Sequence, residues 1–370
     1  MTNMLNGGDS VTASLGKLYR GFGYSRYKMS KFEEYDTYAK NKDFLISDRV
    51  ITFTDVSGKL LAMKPDVTIS IIKNTDDDLE KIHKMYYKEN VYRVSPGSYG
   101  FKEIMQMGLE CIGDVDSYSL CEVIILAAKS LDVISPHFYL DISHMGFVSA
   151  ILSEAGFNSV QKADALCAIG EKNLPLLNSI CTGIGLDENK TRAVLGLVNI
   201  YGKVEDVLDK LKGLCINEEA KKALYDIESL CEALKCTNLS DRVQIDFSVV
   251  NDMNYYNGLV FRGYIEGIPT GVLSGGQYDK LMEKMGKKSK AVGFALYLDL
   301  LERLDIAKKE YDADTIIVYD NRTAYSLVIS EAQKQIETGK TVLCLKKVPA
   351  DIRYKTKLDF TQGGSKNENC

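Results

Sequence analysis

The sequence predicts an α+β fold, in which an antiparallel sheet is flanked by helices, interrupted by a helical insert and followed by a short C-terminal α/β unit. Three observations support this prediction. Strand-like segments early in the chain give way to a helix at 119–131. Leucine and alanine then recur at helical spacing over about 147–240. Strand character returns at 243–250 and 259–264, so we expect the helical insert to interrupt one sheet.

The early strands are predicted from their alternating pattern and from the turn residues between them. Segment 50–63 is typical of a hairpin with Gly58 at its bend. Segments 85–87 and 91–93 lead into a loop rich in serine, proline and glycine, and a strand at 104–112 follows that loop. The helix that comes after these strands indicates that helices cover one side of the sheet.

The remaining segments divide the chain into a core and a short C-terminal unit. A helix is predicted at about 293–304, near the end of a core that covers 1–310. The C-terminal unit, 311–370, is predicted to contain a strand, a helix and a second strand, at 315–319, 324–336 and 341–345. This unit is too small for an independent core, so we expect it to dock on the main domain or to be the remnant of a larger one. We expect its polar tail at 363–370 to be disordered.

Composition and charge argue against several classes of function. Of the 370 residues, 45% are hydrophobic and 26% are charged, which is ordinary for a globular protein. The net charge of -5 and the lack of a local basic patch argue against nucleic acid, including tRNA, as a partner. No apolar run approaches the ~20 residues that span a bilayer.

The cysteines and histidines show no metal-binding pattern. The 9 cysteines are scattered without the spacing of zinc ribbons or redox motifs, which is typical of a reducing cytosol. The histidines, His83, His137 and His144, form no zinc spacing with cysteines or carboxylates. We therefore expect a cytoplasmic protein with no bound metal and no cofactor.

Polar side chains among apolar strands mark the segments where chemistry could occur. Asp66 and Thr68 are predicted to point to one face, because strand side chains alternate between faces. Gln106 and Glu110 share a face for the same reason. Gly108 lies between them and is expected to leave room for a ligand.

Two further segments carry tyrosine and glycine. Tyr255 and Tyr256 lie between two strand-like runs, and the run 275–279 contains a Gly-Gly pair followed by Tyr278. Each signal is weak alone, because buried carboxylates are usually satisfied by backbone amides or water, and a Gly-Gly pair is more often a turn. Only the four segments together favour a ligand pocket.

In their order along the chain, these segments and their neighbours resemble the catalytic core of histidyl-tRNA synthetases, which are class II aminoacyl-tRNA synthetases. The resemblance covers about 21–304 and is carried by runs at 53–58, 63–68, 92–93, 106–110, 254–256 and 275–279. Each run is short, but their order and spacing are specific, and a helical insert falls where that family has one. The resemblance implies a class II synthetase-like antiparallel sheet.

The resemblance also implies a role for each matching residue. The expected histidine-binding residues are Asp66, Thr68, Gln106, Glu110, Tyr255, Tyr256 and Tyr278. The first three match residues that hold the amino group of histidine, whereas Glu110, Tyr256 and Tyr278 match residues around the imidazole. Carboxylates accept hydrogen bonds from ammonium and imidazole N–H groups, and tyrosine hydroxyls can donate or accept them. Arg93 matches an arginine of the phosphate site.

Three departures from the synthetase pattern remove charged groups of the ATP site. Asn251 stands where the family has the arginine of its Arg-Gly-Leu-Asp-Tyr-Tyr run, and Leu300 stands where its third motif ends in an arginine. Ser95 replaces the start of a Glu-Arg pair in the second motif. Amino-acid activation with ATP depends on positioned cations, and the sequence offers no evident replacement. Asp66 is also one methylene shorter than the usual glutamate.

These losses resemble those of the histidyl-tRNA-synthetase-like regulatory subunits of ATP phosphoribosyltransferase. That family implies a non-catalytic protein that joins a short catalytic subunit in the first step of histidine biosynthesis, under feedback control by histidine. We expect a homodimer within a hetero-oligomer. Two alternatives stay open: a divergent histidyl-tRNA synthetase-like amino-acid-activating enzyme, and a free-standing amino-acid sensor with a different partner.

Overall fold

The computed structural model describes residues 7–45, 49–94, 100–215, 217–250, 255–301, 311–361 and 366–369. It divides into two compact units, Met1–Leu304 and Asp305–Cys370. The strands of the larger unit are β1 Ser25–Arg26, β2 Phe32–Glu34, β3 Thr52–Thr54, β4 Leu60–Met63, β5 His83–Val94, β6 Phe101–Gly113, β7 Phe138–His144, β8 Tyr201–Lys203, β9 Val243–Asp246, β10 Leu259–Ile265, β11 Leu273–Gln277 and β12 Lys290–Tyr297.

The helices of the larger unit are α1 Gly7–Gly21, α2 Tyr35–Ala39, α3 Thr68–Asn74, α4 Ser117–Ile134, α5 Met145–Ala155, α6 Ser159–Gly170, α7 Leu174–Ile184, α8 Glu188–Asn199, α9 Val204–Leu214, α10 Glu218–Lys235, α11 Asp279–Lys284 and α12 Leu298–Leu301. Two 3₁₀ turns occur at Lys42–Phe44 and Ser240–Arg242.

A nine-stranded sheet forms the centre of this unit, in the order β1-β5-β6-β12-β11-β10-β7-β9-β8. The central pairs are antiparallel, whereas β1 with β5 and β7 with β9 are parallel. The predicted α+β architecture is therefore confirmed, with a sheet that is mixed at its two ends. A second sheet, in the order β2-β4-β3, contains the predicted hairpin, whose bend has Gly58 in the left-handed region at a φ of 85°.

Helix α4 covers one face of the large sheet. The Asp116 carboxylate caps its first turn by accepting from the N–H of Ser119 at 2.9 Å. Apolar side chains of α4 such as Leu131 pack in one core with alternate strand residues, among them Leu109 and Phe261. Because successive strand side chains point to opposite faces, the residues between these apolar ones point away from α4.

Helices α5 to α10 occupy 145–235, and local side-chain contacts define several of their ends. Five of these helices begin after a residue whose side chain accepts a backbone N–H three residues later: His144, Asn158, Asn173, Asp187 and Asn217. Gly156 and Gly185 end α5 and α7 in the left-handed conformation. Strand β8, which the sequence pattern did not predict, pairs with β9 at the edge of the large sheet.

The predicted helix at 293–304 is wrong in its first half. Residues 290–297 form strand β12, which pairs with β6 and β11, and only Leu298–Leu301 is helical. The side chains of Ala291, Val292, Phe294 and Leu296 are buried in this central strand. A strand buried on both faces has a nearly continuous apolar run, which periodicity alone does not separate from a buried helix. Residues 302–310 lie outside the described part of the chain.

The smaller unit contains β13 Ala313–Val318, helix α13 Tyr325–Glu337, β14 Val342–Leu345, β15 Tyr354–Asp359 and β16 Lys366–Asn369. Its sheet has the order β14-β13-β15-β16. The first three elements match the prediction, but β15 and β16 were missed. The expectation of a disordered tail is wrong for 366–369, which pairs antiparallel with β15 through backbone groups that a polar sequence does not reveal. Residues 363–365 and 370 lie outside the described residues.

Three further expectations concern membranes, metals and disulfides. Within the described ranges, no helix is long and apolar enough to cross a membrane. No group of three or more His, Cys, Asp or Glu side chains that could hold a metal ion occurs in the same ranges. The cysteines that the structure describes are free thiols.

Candidate functional site

The site lies on the face of the sheet opposite α4, where glycines let side chains of neighbouring strands lie flat. Gly293 on β12 is paired with Glu110 on β6, and a Cβ added to Gly293 would overlap the Oε2 of Glu110. Gly276 on β11 likewise leaves room for Tyr256, because a Cβ added to Gly276 would lie 2.6 Å from the Tyr256 ring. Gly275 and Gly276 lie within strand β11, so the interpretation of this pair as a turn was wrong. Glycine fits at Gly276 and Gly293 because a neighbouring side chain fills the space above each of them.

The space above Gly108 is also filled. A Cβ added to Gly108 would lie 2.5 Å from the hydroxyl oxygen of Tyr87, which is on the neighbouring strand β5. A ligand was predicted above Gly108, but the ring of Tyr87 occupies that space. Tyr87 thus belongs to the site. It could be predicted only from its pairing with Gly108, and that pairing is not known until the strand register is known.

Glu110 is the buried acid at the centre of the site. Its side chain accepts hydrogen bonds from the Thr68 hydroxyl at 2.8 Å and from the Tyr278 hydroxyl. Glu110 is only 2% exposed, and burial raises the pKa of its carboxyl to about 8 although both hydrogen bonds act to lower it. The carboxyl therefore keeps its proton near neutral pH until a donor or a positive charge arrives.

We expect Glu110→Gln to stabilise the ligand-free protein more as the pH rises. The unfolded Glu110 ionises near pH 4.5 and the folded one near pH 8, so folding opposes ionisation and stability is lost as the pH rises through this window. The glutamine variant lacks this loss, which should reach on the order of a few kcal/mol at and above pH 8. Urea unfolding at several pH values measures it, with the exposed Glu103→Gln as control. A difference that is constant with pH would contradict the assignment.

Asp66 and Thr68 reach the site from the start of helix α3, not from a strand. The Asp66 carboxylate accepts the N–H of Ile69 at 3.0 Å, which fixes the first turn of a helix that begins at Thr68. The alternation argument for these two residues was therefore wrong, because their segment is not extended. Asp66 also forms an ion pair with Arg93 at 3.3 Å, and the Nε of Arg93 donates to the carbonyl of Pro65 at 2.6 Å.

Gln106 lies four residues before Glu110 on β6, and its amide offers a hydrogen-bond donor. Its side chain is 2% exposed, and its Nε2 has no hydrogen-bond partner among the residues that the structure describes. It lies on the same face as Glu110, four residues along the strand, and opposite Tyr297 of β12. A buried amide without a partner costs about 1–3 kcal/mol, so a ligand that accepts from it would be bound more tightly.

Three tyrosines form an aromatic wall beside Glu110. The ring centroids of Tyr255 and Tyr256 are 4.5 Å apart, and those of Tyr255 and Tyr278 are 6.0 Å apart. Phe44 packs against Tyr255 at 5.8 Å. Burial raises the pKa of all three phenols well above the usual value, so their hydroxyls stay protonated and can donate hydrogen bonds.

The sheet register adds polar residues that the sequence analysis missed. The Ser274 hydroxyl on β11 lies 3.0 Å from the Tyr297 hydroxyl on β12. Arg262 on β10 is paired with Ser274 and therefore lies on the same face. The sequence offered no evident replacement for the cations expected to be missing, whereas the structure places Arg262 on the same face of the sheet as Glu110. In the sequence, only the alternation of side chains along β10 indicates which face Arg262 occupies.

The three departures from the synthetase pattern are partly visible. Leu300 lies in α12 and packs, partly buried, against the apolar core. Asn251 and Ser95 lie outside the described residues. Arg93 is present, but its guanidinium is engaged with Asp66 and Pro65. The described residues thus arrange acceptors, hydroxyl donors and aromatic rings for a small polar ligand.

A cavity of about 770 Å³ adjoins this site on the side of α5 and α10. Its wall includes Tyr256, the buried His144 and the partly buried Asp226, and the Nε2 of His144 lies 3.3 Å from the carboxylate of Asp226. Among the lining residues, Tyr256 is the one member of the expected histidine-binding set. The cavity therefore touches the site at Tyr256, and Glu110 is not among its lining residues.

Comparison with known proteins agrees with this arrangement. The sequence model of the histidyl-tRNA synthetase family matches residues 8–301. The ATP phosphoribosyltransferase regulatory subunit of Clostridium acetobutylicum is 30% identical over 346 residues, which cover 90% of this chain and 84% of that protein. A crystal structure described as an ATP phosphoribosyltransferase regulatory subunit/histidyl-tRNA synthetase from Bacillus halodurans C has a TM-score of 0.75 and 25% identity, and the match covers 96% of this chain and 94% of that one.

A chain of the ATP phosphoribosyl transferase (HisG:HisZ) complex from Thermotoga maritima shares the fold, with a TM-score of 0.61, 20% identity and coverage of 78% of this chain and 96% of that one. The family model matches most of this chain, and the match to the Clostridium acetobutylicum protein covers nine tenths of this chain. This chain therefore belongs to the histidyl-tRNA-synthetase-like family of ATP phosphoribosyltransferase regulatory subunits.

Proposed function

We propose that this chain is a non-catalytic regulatory subunit that supports a short ATP phosphoribosyltransferase catalytic subunit in histidine biosynthesis and takes part in its feedback control by histidine. The names of its relatives and the Thermotoga maritima complex support this proposal. We further propose that it forms a homodimer within the hetero-oligomer and that tRNA is not a partner. The net charge of -5 supports the second point.

One observation supports the proposal: the hydroxyls of Thr68 and Tyr278 and a wall of tyrosine rings surround the buried acid Glu110, an arrangement that suits an amino-acid ligand. The groups expected to serve ATP offer less. Leu300 is an apolar residue at a position where the synthetases have an arginine, and Arg93 is engaged by Asp66. Chemistry at the α-phosphate of ATP requires positioned cations that offset the charge of the phosphates. A protein with this arrangement suits the binding of an amino acid better than its activation.

The proposed ligand is histidine, with its ammonium near Asp66, Thr68 and the amide oxygen of Gln106 and its imidazole near Glu110. The unused Nε2 of Gln106 can donate to an oxygen of the ligand. The protonated carboxyl of Glu110 can pass its proton to the imidazole, which gives a charge-assisted hydrogen bond inside a site shielded from water. Tyr256 and Tyr278 supply hydroxyls and flat rings beside it. Asp66 is engaged with Arg93, so it offers the ammonium only part of its charge.

The decisive experiment mixes the purified chain with a short-form catalytic subunit and measures phosphoribosyl transfer with and without histidine. We expect the mixture to be at least tenfold more active than the catalytic subunit alone, and histidine to reduce this activity. Bovine serum albumin in place of the chain controls for nonspecific stabilisation. No rise in activity on mixing would overturn the proposed function.

Arg262 favours a second candidate, a divergent amino-acid-activating enzyme, because it places a cation on the ligand face of the sheet. This candidate requires ATP to bind beside the amino acid. Calorimetry with ATP and a histidine-dependent exchange of pyrophosphate into ATP test it directly. Exchange above the background of Arg262→Met would favour this second function over the first.

A further inference from the structure

The proposed site is rich in acidic groups, so the carboxylate of an amino acid needs a cation to be held there. Asp66 and Glu110 approach the site from two elements, and both favour the positive end of a zwitterionic ligand. An α-carboxylate placed among them would lose its hydration without gaining a positive partner. Recognition of a whole amino acid therefore depends on a positive side chain near the other end of the site.

Two cations close to the site are already engaged. Lys64 is fully buried and its Nζ lies 2.8 Å from the carboxylate of Glu89. Arg93 is 7% exposed and is held by Asp66 and by the carbonyl of Pro65. Releasing either one to a ligand would leave a buried carboxylate unpaired, which is costly.

Arg262 is a cation on this face whose charge is not engaged by any described residue. It is partly buried, and within the described ranges its side chain donates no hydrogen bond and forms no ion pair. Its aliphatic stem lies over Gly271, where an added Cβ would be 2.7 Å from the Arg262 Cγ. This contact needs a glycine, and it holds the side chain along the surface of the sheet.

The direction of Arg262 follows from its neighbours on the two flanking strands. On one side it is paired with Asp141 of β7, yet no ion pair forms between them. On the other side it is paired with Ser274, whose hydroxyl lies 3.0 Å from that of Tyr297. Ser274 and Tyr256 lie on this same face, because Gly276, whose added Cβ would meet the Tyr256 ring, is two residues from Ser274 on β11.

We propose that Arg262 binds the α-carboxylate of the amino-acid ligand, with the Ser274 and Tyr297 hydroxyls as additional donors beside it. This inference rests on the proposed function, because it assigns a role within the same histidine site. It divides the ligand into three parts: the ammonium at Asp66 and Gln106, the ring at Glu110, and the carboxylate at Arg262. The guanidinium fork can donate two parallel hydrogen bonds to one carboxylate.

A phosphate group would use the same chemistry as a carboxylate. The availability of one unengaged arginine, next to neutral hydroxyls and near two acidic residues, favours the carboxylate, which carries a single charge. A triphosphate would need further cations to offset its charge. Inorganic phosphate therefore serves as the competing ligand in the test.

The test measures binding by calorimetry for the full chain and for Arg262→Met, which keeps the length of the stem but removes the charge. The ligands are L-histidine, L-histidinol, whose carboxylate is replaced by a hydroxymethyl group, and inorganic phosphate. We expect the wild-type protein to bind histidine at least about tenfold more tightly than histidinol. Arg262→Met should lose this preference by weakening histidine binding alone, and Arg262→Lys should restore part of it.

The controls separate this inference from the proposed function. Arg192→Met removes the same charge from the exposed surface of α8 and should leave both affinities unchanged. Thermal melts confirm that each variant is folded. If the wild-type protein binds neither histidine nor histidinol, the proposed histidine site is wrong and the inference falls with it. If histidine binds but Arg262→Met keeps the preference over histidinol, or weakens phosphate binding only, the inference alone is wrong.

Discussion

Gly293→Ala should abolish detectable histidine binding by the folded protein, with an affinity loss of at least about 100-fold, or about 2.7 kcal/mol. The added Cβ would overlap the Oε2 of Glu110 and would lie 2.5 Å from the carbonyl oxygen of Leu109. Because one neighbour is backbone in the centre of the sheet, the strand cannot move aside easily, so Glu110 must leave its position. Calorimetry with L-histidine measures the loss.

The same substitution should lower the free energy of unfolding by about 1–3 kcal/mol, since it overpacks a buried site. Gly183→Ala is the matched control, because nothing lies within 4 Å of its added Cβ and Gly183 is in helix α7. Alanine is the better helix former, so this control should be stabilised slightly and should bind histidine normally. Normal histidine affinity in folded Gly293→Ala would mean that Glu110 does not contact the ligand.

Glu110→Gln should reduce the selectivity for an imidazole ring by about 10- to 100-fold, because a neutral amide replaces a carboxyl that can pair with the ring as a charged partner. The comparison is the affinity for L-histidine against that for 3-(2-thienyl)alanine, whose five-membered ring has no N–H. The comparison is made near pH 7, where the free Glu110 carboxyl still holds the proton that it can pass to the imidazole.

Glu103→Gln makes the same chemical change at an exposed position on the same strand and should leave the selectivity unaltered. In the assembled complex, Glu110→Gln should also weaken the inhibition by histidine. An unchanged histidine response would indicate that the feedback ligand acts elsewhere, either on the catalytic subunit or at the interface between the subunits.

The order of short motifs predicted a large part of the fold and the residues of the candidate site. The runs around Asp66, Gln106–Glu110 and Tyr255–Tyr256 are local, so their residue types and spacing can be read without knowing which strands are neighbours. The same holds for the hairpin at 50–63 and for helix α4. Each is defined by contacts between residues that are close in sequence.

Strand order, register and backbone hydrogen bonding lay beyond the sequence pattern. Strand β12 looked helical because it is apolar on both faces, and β16 looked disordered because its residues are polar. Both are strands because of the partners they pair with, and those partners are distant in the chain or unmarked by any pattern. Such pairings depend on topology, which local propensity does not encode.

By itself, the sequence determined which acids and tyrosines are present, and its resemblance to the synthetases predicts which of their arginines are missing. Only the tertiary structure decided that Tyr87 fills the space over Gly108, that Asp66 holds the start of a helix and pairs with Arg93, and that Arg262 remains without an ion pair among the described residues. The physical reason is that these contacts join strands across the sheet. One residue of register shift would send Glu110 and Arg262 to the opposite face.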